Sequence, residues 1–184
     1  QEFIVVPYGA KTFKDALRWG ADIYRTTAKI LKSEGFSINV GYEGAYGPNL
    51  QSNERVMTTI KRAIEEAGYV PGKEIGIAID CAASEFYRDG KYNLVRENKV
   101  LNSKELVDFY VEWCDKFPIV SIEDGLAEDD WEGHQLLTEK LGKKIQLVGD
   151  DLFVTDISRL SKGIEKHVAN SILIKLNQIG TVSE

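Results

Sequence analysis

Five apolar runs punctuate the chain, at 3–9 (FIVVPYG), 74–80 (EIGIAID), 118–124 (PIVSIED), 144–151 (KIQLVGDD) and 171–178 (SILIKLNQ). Their length and β-branched content predict strands. Between the first two lie two helical patterns. One carries Phe13, Leu17, Tyr24 and Leu31 at helical spacing, opens near Thr12 and stops at Gly35. The other begins after Ser52, carries Val56, Ile60 and Ile64, and ends at Gly68. The later strands alternate with single helices. Ser103 is the expected cap of Leu106/Phe109/Tyr110/Trp113, which Pro118 terminates; Asp129 or Asp130 leads Trp131 to Leu141, and Asp156 leads Leu160 to Val168. The stretch 88–100 (RDGKYNLVRENKV) predicts a small hairpin on an Asp-Gly turn.

This order requires crossover connections, and hence a parallel sheet or barrel. A closed barrel of this kind takes eight strands and roughly 250 residues. A five-stranded arc would leave two open edges, so these residues are expected to be a piece of a longer protein.

Side-chain parity then sorts each strand into two faces. Ile75, Ile77 and Ile79 oppose Gly76, Ala78 and Asp80; Val120 and Ile122 oppose Ile119, Ser121 and Glu123. Ile145 and Leu147 oppose Gln146, Val148 and Asp150, while Ile172, Ile174 and Leu176 oppose Leu173, Lys175 and Asn177. The second face of every strand thus ends in an ionisable group near its C-terminal end, where parallel barrels build their active sites. Three carboxylates in one cavity repel unless a cation neutralises them, and an all-oxygen donor set suits Mg²⁺. Taken singly, each of these residues has a plainer reading, an Asp as cap or turn residue and a Lys as a strand-edge residue with its head in water. The helix after Asp150 starts too late to be capped by it, and Asp124 and Asp151 are the better loop-structuring partners. The coincidence of all four favours a site.

Composition narrows the partners. The 184 residues are 43% hydrophobic and 28% charged, with a net charge of −6. Dense Lys/Arg blocks are missing, which argues against nucleic acid and membrane surfaces. No apolar run is long enough for a transmembrane span. Cys81 and Cys114 have no metal-ligand or disulfide spacing and fit a reducing compartment. No G-x-G-x-x-G opens a helix after a strand, so dinucleotide binding is set aside.

The tail ILIKLNQIGTVSE resembles the signature of the enolase family, the phosphopyruvate hydratases of glycolysis. QEFIVVPYGAKTF, DCAASEF, SIEDGLAEDDWEG and VGDDLFVT resemble other enolase segments, in order, from Gln1 to Glu184. The resemblance implies an α/β fold, a partial TIM-like barrel of the enolase type with a ββαα start and then βα units, incomplete in this chain. Residues 1–184 would be part of the C-terminal barrel domain, without the N-terminal capping domain and the last strands. It implies Asp80, Glu123 and Asp150 as ligands of Mg²⁺, with Glu123 and Asp150 also facing the substrate. Lys175 would be the base that takes the C2 proton of 2-phosphoglycerate, its pKa lowered by nearby cations and partial burial. Glu43 would be the acid that helps the C3 hydroxyl leave, with Gln1 and Glu2 beside the substrate. It further implies a cytoplasmic location and a homo-oligomer, dimer or larger. His134 and His167 are assigned to surface or packing roles.

The sequence departs from the family around the acid, where Val-Gly-Asp-Glu-Gly-Gly is usual and Val40-Gly41-Tyr42-Glu43-Gly44-Ala45 stands here. Residues for the second metal and for the substrate's phosphate have no match, so the 184 residues alone are expected to be inactive. The alternatives are a catalytically silent enolase-like binding or scaffold module, and another superfamily enzyme acting on a different carboxylate.

Overall fold

The computed structural model describes residues 1–183. Contacts divide the chain into two compact units, residues 1–4 with 78 onward, and residues 5–77.

Residues 5–77 are built on α1 (Phe13–Ser33) and α2 (Asn53–Glu66). Thr12 caps α1 by accepting from the Asp15 N–H, and Ser52 caps α2 by accepting from the Arg55 N–H. Ile23, Ile30 and Leu31 of α1 are buried, as are Met57, Ile60, Ala63 and Ile64 of α2. The stripe read from the sequence of α1 is only partly the core: Phe13 is 83% and Leu17 65% exposed. The buried face is turned toward Ile23 and Ile30, leaving an open apolar groove between that stripe and Val5 and Pro7. Glu34, just past α1, pairs with Arg55 at 2.6 Å and Arg62 at 2.8 Å, tying the two helices.

The strands β1 (Glu2–Val6), β2 (Gly76–Asp80), β6 (Ile119–Glu123), β7 (Gln146–Gly149) and β8 (Ser171–Ile172) form one sheet, in the order β1-β2-β6-β7-β8. The sheet is open, with β1 and β8 as its edges. Register in the parallel part pairs Glu123 with Val148 and Gly149 with Ile172. The excursion after β2 is a three-stranded antiparallel sheet, β3 (Tyr87–Arg88), β4 (Lys91–Leu94) and β5 (Lys99–Leu101), one strand more than the expected hairpin. Asp89 and Gly90 supply the positive φ values, 52° and 77°, that its tight turn requires.

Helices α3 (Ser103–Lys116), α4 (Trp131–Leu141) and α5 (Ile157–Lys166) alternate with the later strands. Asn102, not Ser103, caps α3, because Asn102 and Glu105 form a reciprocal capping box. Ser103 instead donates to Asp130 Oδ2 at 2.6 Å. Asp130 caps α4 through Oδ1 and the Gly133 N–H at 2.9 Å, while Oδ2 also accepts from the Tyr92 hydroxyl at 2.6 Å. Tyr92 is fully buried, and its oxygen accepts the Ala127 N–H at 3.0 Å. A single carboxylate therefore joins α3, α4 and the β4 meander. Beside β7 the ring of Phe153 is wedged so closely that a Cβ on Gly149 or Gly163 would lie 2.5 or 2.4 Å from it. His134 is buried and neutral, its pKa pushed down to about 4 by burial, in a packing role as expected. Among the described residues no helix is long and apolar enough to cross a membrane.

Replacing Asp130 by Ala removes a cap and leaves the buried Tyr92 hydroxyl without an acceptor, a loss of about 2–4 kcal/mol. Asp130→Asn keeps an acceptor and costs less. Urea unfolding midpoints should fall in the order wild type, Asn, Ala; equal midpoints for Ala and wild type would contradict the role given to this carboxylate.

Candidate functional site at the strand ends

Strands β2 and β6 end on Asp80 and Glu123, and Asp150 follows the last residue of β7. The sheet thus delivers three carboxylates to the ends of neighbouring strands, though the expected set Asp80, Glu123 and Asp150 is not itself one compact group: Asp80 and Glu123 cluster with Asp124, and Asp150 clusters with Asp124 and Asp151. One oxygen each of Asp80, Glu123 and Asp124 lie within 4.8 Å of one another, and the same holds for Asp124, Asp150 and Asp151. The two groups share Asp124.

Beyond the strands the chain continues to be stitched. The Cys81 N–H donates to the Glu123 carbonyl at 3.0 Å, Ala83 to Asp124 at 3.1 Å, and Asp124 to Val148 at 3.0 Å. The buried Asp124 carboxylate then accepts three backbone N–H groups of the next loop, from Asp150 at 3.1 Å, Asp151 at 2.7 Å and Leu152 at 3.3 Å. This is the loop-structuring role expected of Asp124; Asp151 contributes through its N–H, with its side chain exposed. Asp80 accepts from Ala82 at 3.0 Å.

Lys175 reaches the site from a loop and not from mid-strand. β8 ends at Ile172 because β7 ends at Gly149, after which the chain turns and Val154 donates back to the Asp150 carbonyl at 2.7 Å. Leu173 makes the last bond to β7, its N–H donating to the Gly149 carbonyl at 3.1 Å; with no partner strand, residues 174–178 leave the ladder, and the alternation expected through Asn177 does not form. The Lys175 side chain, 43% exposed, nevertheless ends on Asp150 Oδ2. The other oxygen, Oδ1, accepts from Gln178 Nε2 at 2.6 Å. Gln178 Oε1 in turn accepts from the Thr155 hydroxyl at 2.6 Å, and that hydroxyl accepts the Lys175 N–H at 2.9 Å. The four residues close a ring.

Charge follows from this geometry. The hydrogen bond to Asp150 raises the Lys175 pKa, and the nearby Glu123 and Asp151 carboxylates add to the effect. The expected lowering is therefore reversed in the protein alone. Burial, with repulsion from Asp80, Asp124 and Asp150, pushes Glu123 up to about 7. Burial likewise raises Asp124 to about 6 against the pull of its three N–H donors, and it raises Asp80. These are the signs of an anionic cluster short of positive charge.

Gln1 and Glu2 are exposed at the start of β1. Glu43 belongs to the other unit, on an exposed loop closed by the Val40–Tyr46 bridge and by Gly41 donating to Ala45 at 2.9 Å. Tyr24 secures that loop, donating to the Gly44 carbonyl at 2.7 Å and stacking on Tyr46 with centroids 4.3 Å apart. Thr155 and Gln178 are not among the residues expected at the site from the sequence, although they stand in VGDDLFVT and ILIKLNQIGTVSE. A polar residue three positions after Lys175 was the available signal.

The folded protein holds protons on Glu123 and Asp124 that the unfolded chain has already shed, Glu123 between pH 4.5 and about 7 and Asp124 between 3.8 and about 6. Metal-free stability from these groups therefore declines as pH rises through those windows. Melting temperatures in chelator should show Glu123→Gln gaining on wild type between pH 5 and 7.5. A constant difference would contradict the raised Glu123 pKa.

The model of the family described as "Enolase, C-terminal TIM barrel domain" matches residues 1–184. It agrees with the α/β architecture and the parallel strands. The chain belongs to the enolase C-terminal TIM-barrel family.

Proposed function

We propose that this chain is part of an enolase that dehydrates 2-phosphoglycerate to phosphoenolpyruvate in glycolysis and gluconeogenesis, with Mg²⁺ as cofactor. The observation that carries this reading is the Lys175 ammonium seated on Asp150 beside Glu123 and Asp80. An amine that could serve as base once deprotonated and a set of carboxylates suited to a hard ion stand near the ends of neighbouring inner strands.

The residues fit a divalent ion. Every donor is a carboxylate oxygen, and Glu123 is driven up to about 7 by burial and by its anionic neighbours, the condition a cation relieves. Asp80, Glu123 and Asp150 would hold it. When bound, the ion supplies positive charge against the negative charge that builds on the substrate carboxylate.

Lys175 takes the C2 proton, and the C2–H electron pair moves toward the carboxylate. That charge then returns to form the C2–C3 double bond as the C3–O bond breaks, and Glu43 gives its proton to the departing hydroxyl, which leaves as water. The base must first be neutral. While its ammonium is bonded to Asp150 it is charged, so Lys175 must first lose a proton to solvent, a loss that release of the Asp150 bond and positive charge from a bound ion would both favour. Gln1 and Glu2 would stand on the substrate's side. In this reading the chain is the central part of the barrel domain of a longer, cytoplasmic enolase with a capping domain, acting as a homodimer or larger oligomer.

A second reading, an enolase-like module without turnover that serves as a binding or scaffold protein, is favoured by Tyr42. Its phenol is fully exposed beside Glu43, where the resemblance places a carboxylate. This reading allows Mg²⁺ binding and denies the reaction.

In the native protein, phosphoenolpyruvate absorbance should rise from 2-phosphoglycerate with Mg²⁺ and stop in chelator. Lys175→Ala should lose about 10²–10⁴-fold in turnover; a variant as active as wild type would overturn the reading. Mg²⁺ should also raise the melting temperature of wild type and not that of Asp150→Asn, because only ion bound to the folded state stabilises it. Equal shifts would remove Asp150 from the ligand set.

A further inference from the structure

Val154 and Thr155 are consecutive β-branched residues with φ of 44° and 55°. That conformation crowds a branched Cβ and persists only where surrounding contacts over-determine it. What Thr155 gains is its place in the ring with Lys175, Gln178 and Asp150.

The ring has a fixed polarity. A backbone N–H can only donate, so the Lys175 N–H at 2.9 Å uses a lone pair of Thr155 Oγ1. The hydroxyl proton of Thr155 is then free to point at Gln178, at 2.6 Å, and the atom that receives it must be the carbonyl oxygen Oε1. This leaves the amide's NH₂ end facing Asp150 Oδ1 at 2.6 Å. Reversing the Gln178 amide would set its oxygen against the acceptor-only Asp150 carboxylate and leave the Thr155 hydroxyl proton without a partner in the ring. The amide's orientation is thus fixed from both ends, by the Asp150 carboxylate that can only accept and by the Thr155 hydroxyl proton that Oε1 receives. The Asp150 carboxyl plane is held by Gln178 on one side and by Lys175 on the other.

We infer that Thr155 is a positioning residue: its hydroxyl orients the Gln178 amide, which fixes Asp150 and the backbone of Lys175 in the geometry the site uses. The inference rests on the proposed enolase reading for its catalytic consequence, and on the hydrogen-bond ring alone for its structural one. Oriented partners of this kind typically contribute 10–100-fold to metal affinity or activity.

Thr155→Val keeps the shape and deletes the hydroxyl, whereas Thr155→Ser restores the hydroxyl without the methyl. Three readouts are compared in the native protein: amide hydrogen exchange at Lys175, Mg²⁺ affinity by calorimetry, and turnover. The Val variant should lose protection at the Lys175 amide and bind Mg²⁺ 10–100-fold more weakly, with Ser within threefold of wild type on both. In turnover the loss should fall on kcat at saturating Mg²⁺ and should likewise be rescued by Ser. Loss in Val without rescue by Ser would overturn the inference, since packing or backbone strain would then carry the effect. Unchanged Lys175 exchange and unchanged Mg²⁺ affinity in Val would overturn it outright. If wild type shows no turnover, the enolase reading fails, while amide exchange and Mg²⁺ affinity still decide the ring.

Discussion

Crowding of negative charge at the ends of three adjacent strands is the constraint on which the rest of the site depends. Asp80, Glu123, Asp124, Asp150 and Asp151 converge there, and like charges at such spacing resist ionising together unless something answers them. The chain answers them unequally. Asp124 takes three backbone N–H groups, and Asp150 takes an ammonium and an amide. Asp80 receives one N–H, and Glu123 is left with the most strongly raised carboxyl of the group, at about 7. The deficit is concentrated where Asp80 and Glu123 meet. A divalent ion is the simplest occupant that would discharge it.

The same constraint explains why the local structure around the site is so heavily fastened. Gly149 and Gly163 leave room for Phe153 to pack against the turn that follows β7, and that turn presents the N–H groups Asp124 collects. Arg159 at the start of α5 donates to the Leu152 carbonyl at 2.6 Å and pairs with Asp129 at 3.2 Å, binding the loop before α4 to the loop after β7. Apolar packing under the loops and polar bonds within them serve one end, which is to hold anionic side chains at fixed positions despite their repulsion.

Much of this was legible in the sequence, because the signals were local. Caps at Thr12, Ser52, Asp130 and Asp156 stand one residue before helices whose periodicity is clear. Parity along β2 and β6 put Asp80 and Glu123 at the strand ends, where the structure has them. Illegible features depended on partners distant in the chain. Lys175 reads as a strand residue because ILIKLNQ is apolar enough for one, yet a strand needs a neighbour, and β7 stops at Gly149. The exposed stripe of Phe13 and Leu17 reads as core because periodicity marks a face and not what covers it. The direction of the Lys175 pKa depended on which charge it touches, and periodicity carries no record of Asp150 as its partner. Thr155 and Gln178 leave only a faint local signal, a polar residue three positions after Lys175, since their role exists only in the closed ring.

The assignment of Lys175 as the base is tested most directly by the C2 proton itself. With 2-phosphoglycerate and Mg²⁺ in deuterated water, the native protein should replace the C2 hydrogen by deuterium, followed by NMR of the recovered substrate. Lys175→Ala should abolish that exchange while still binding Mg²⁺. Exchange that persists in the variant would contradict the assignment and place proton abstraction on another residue.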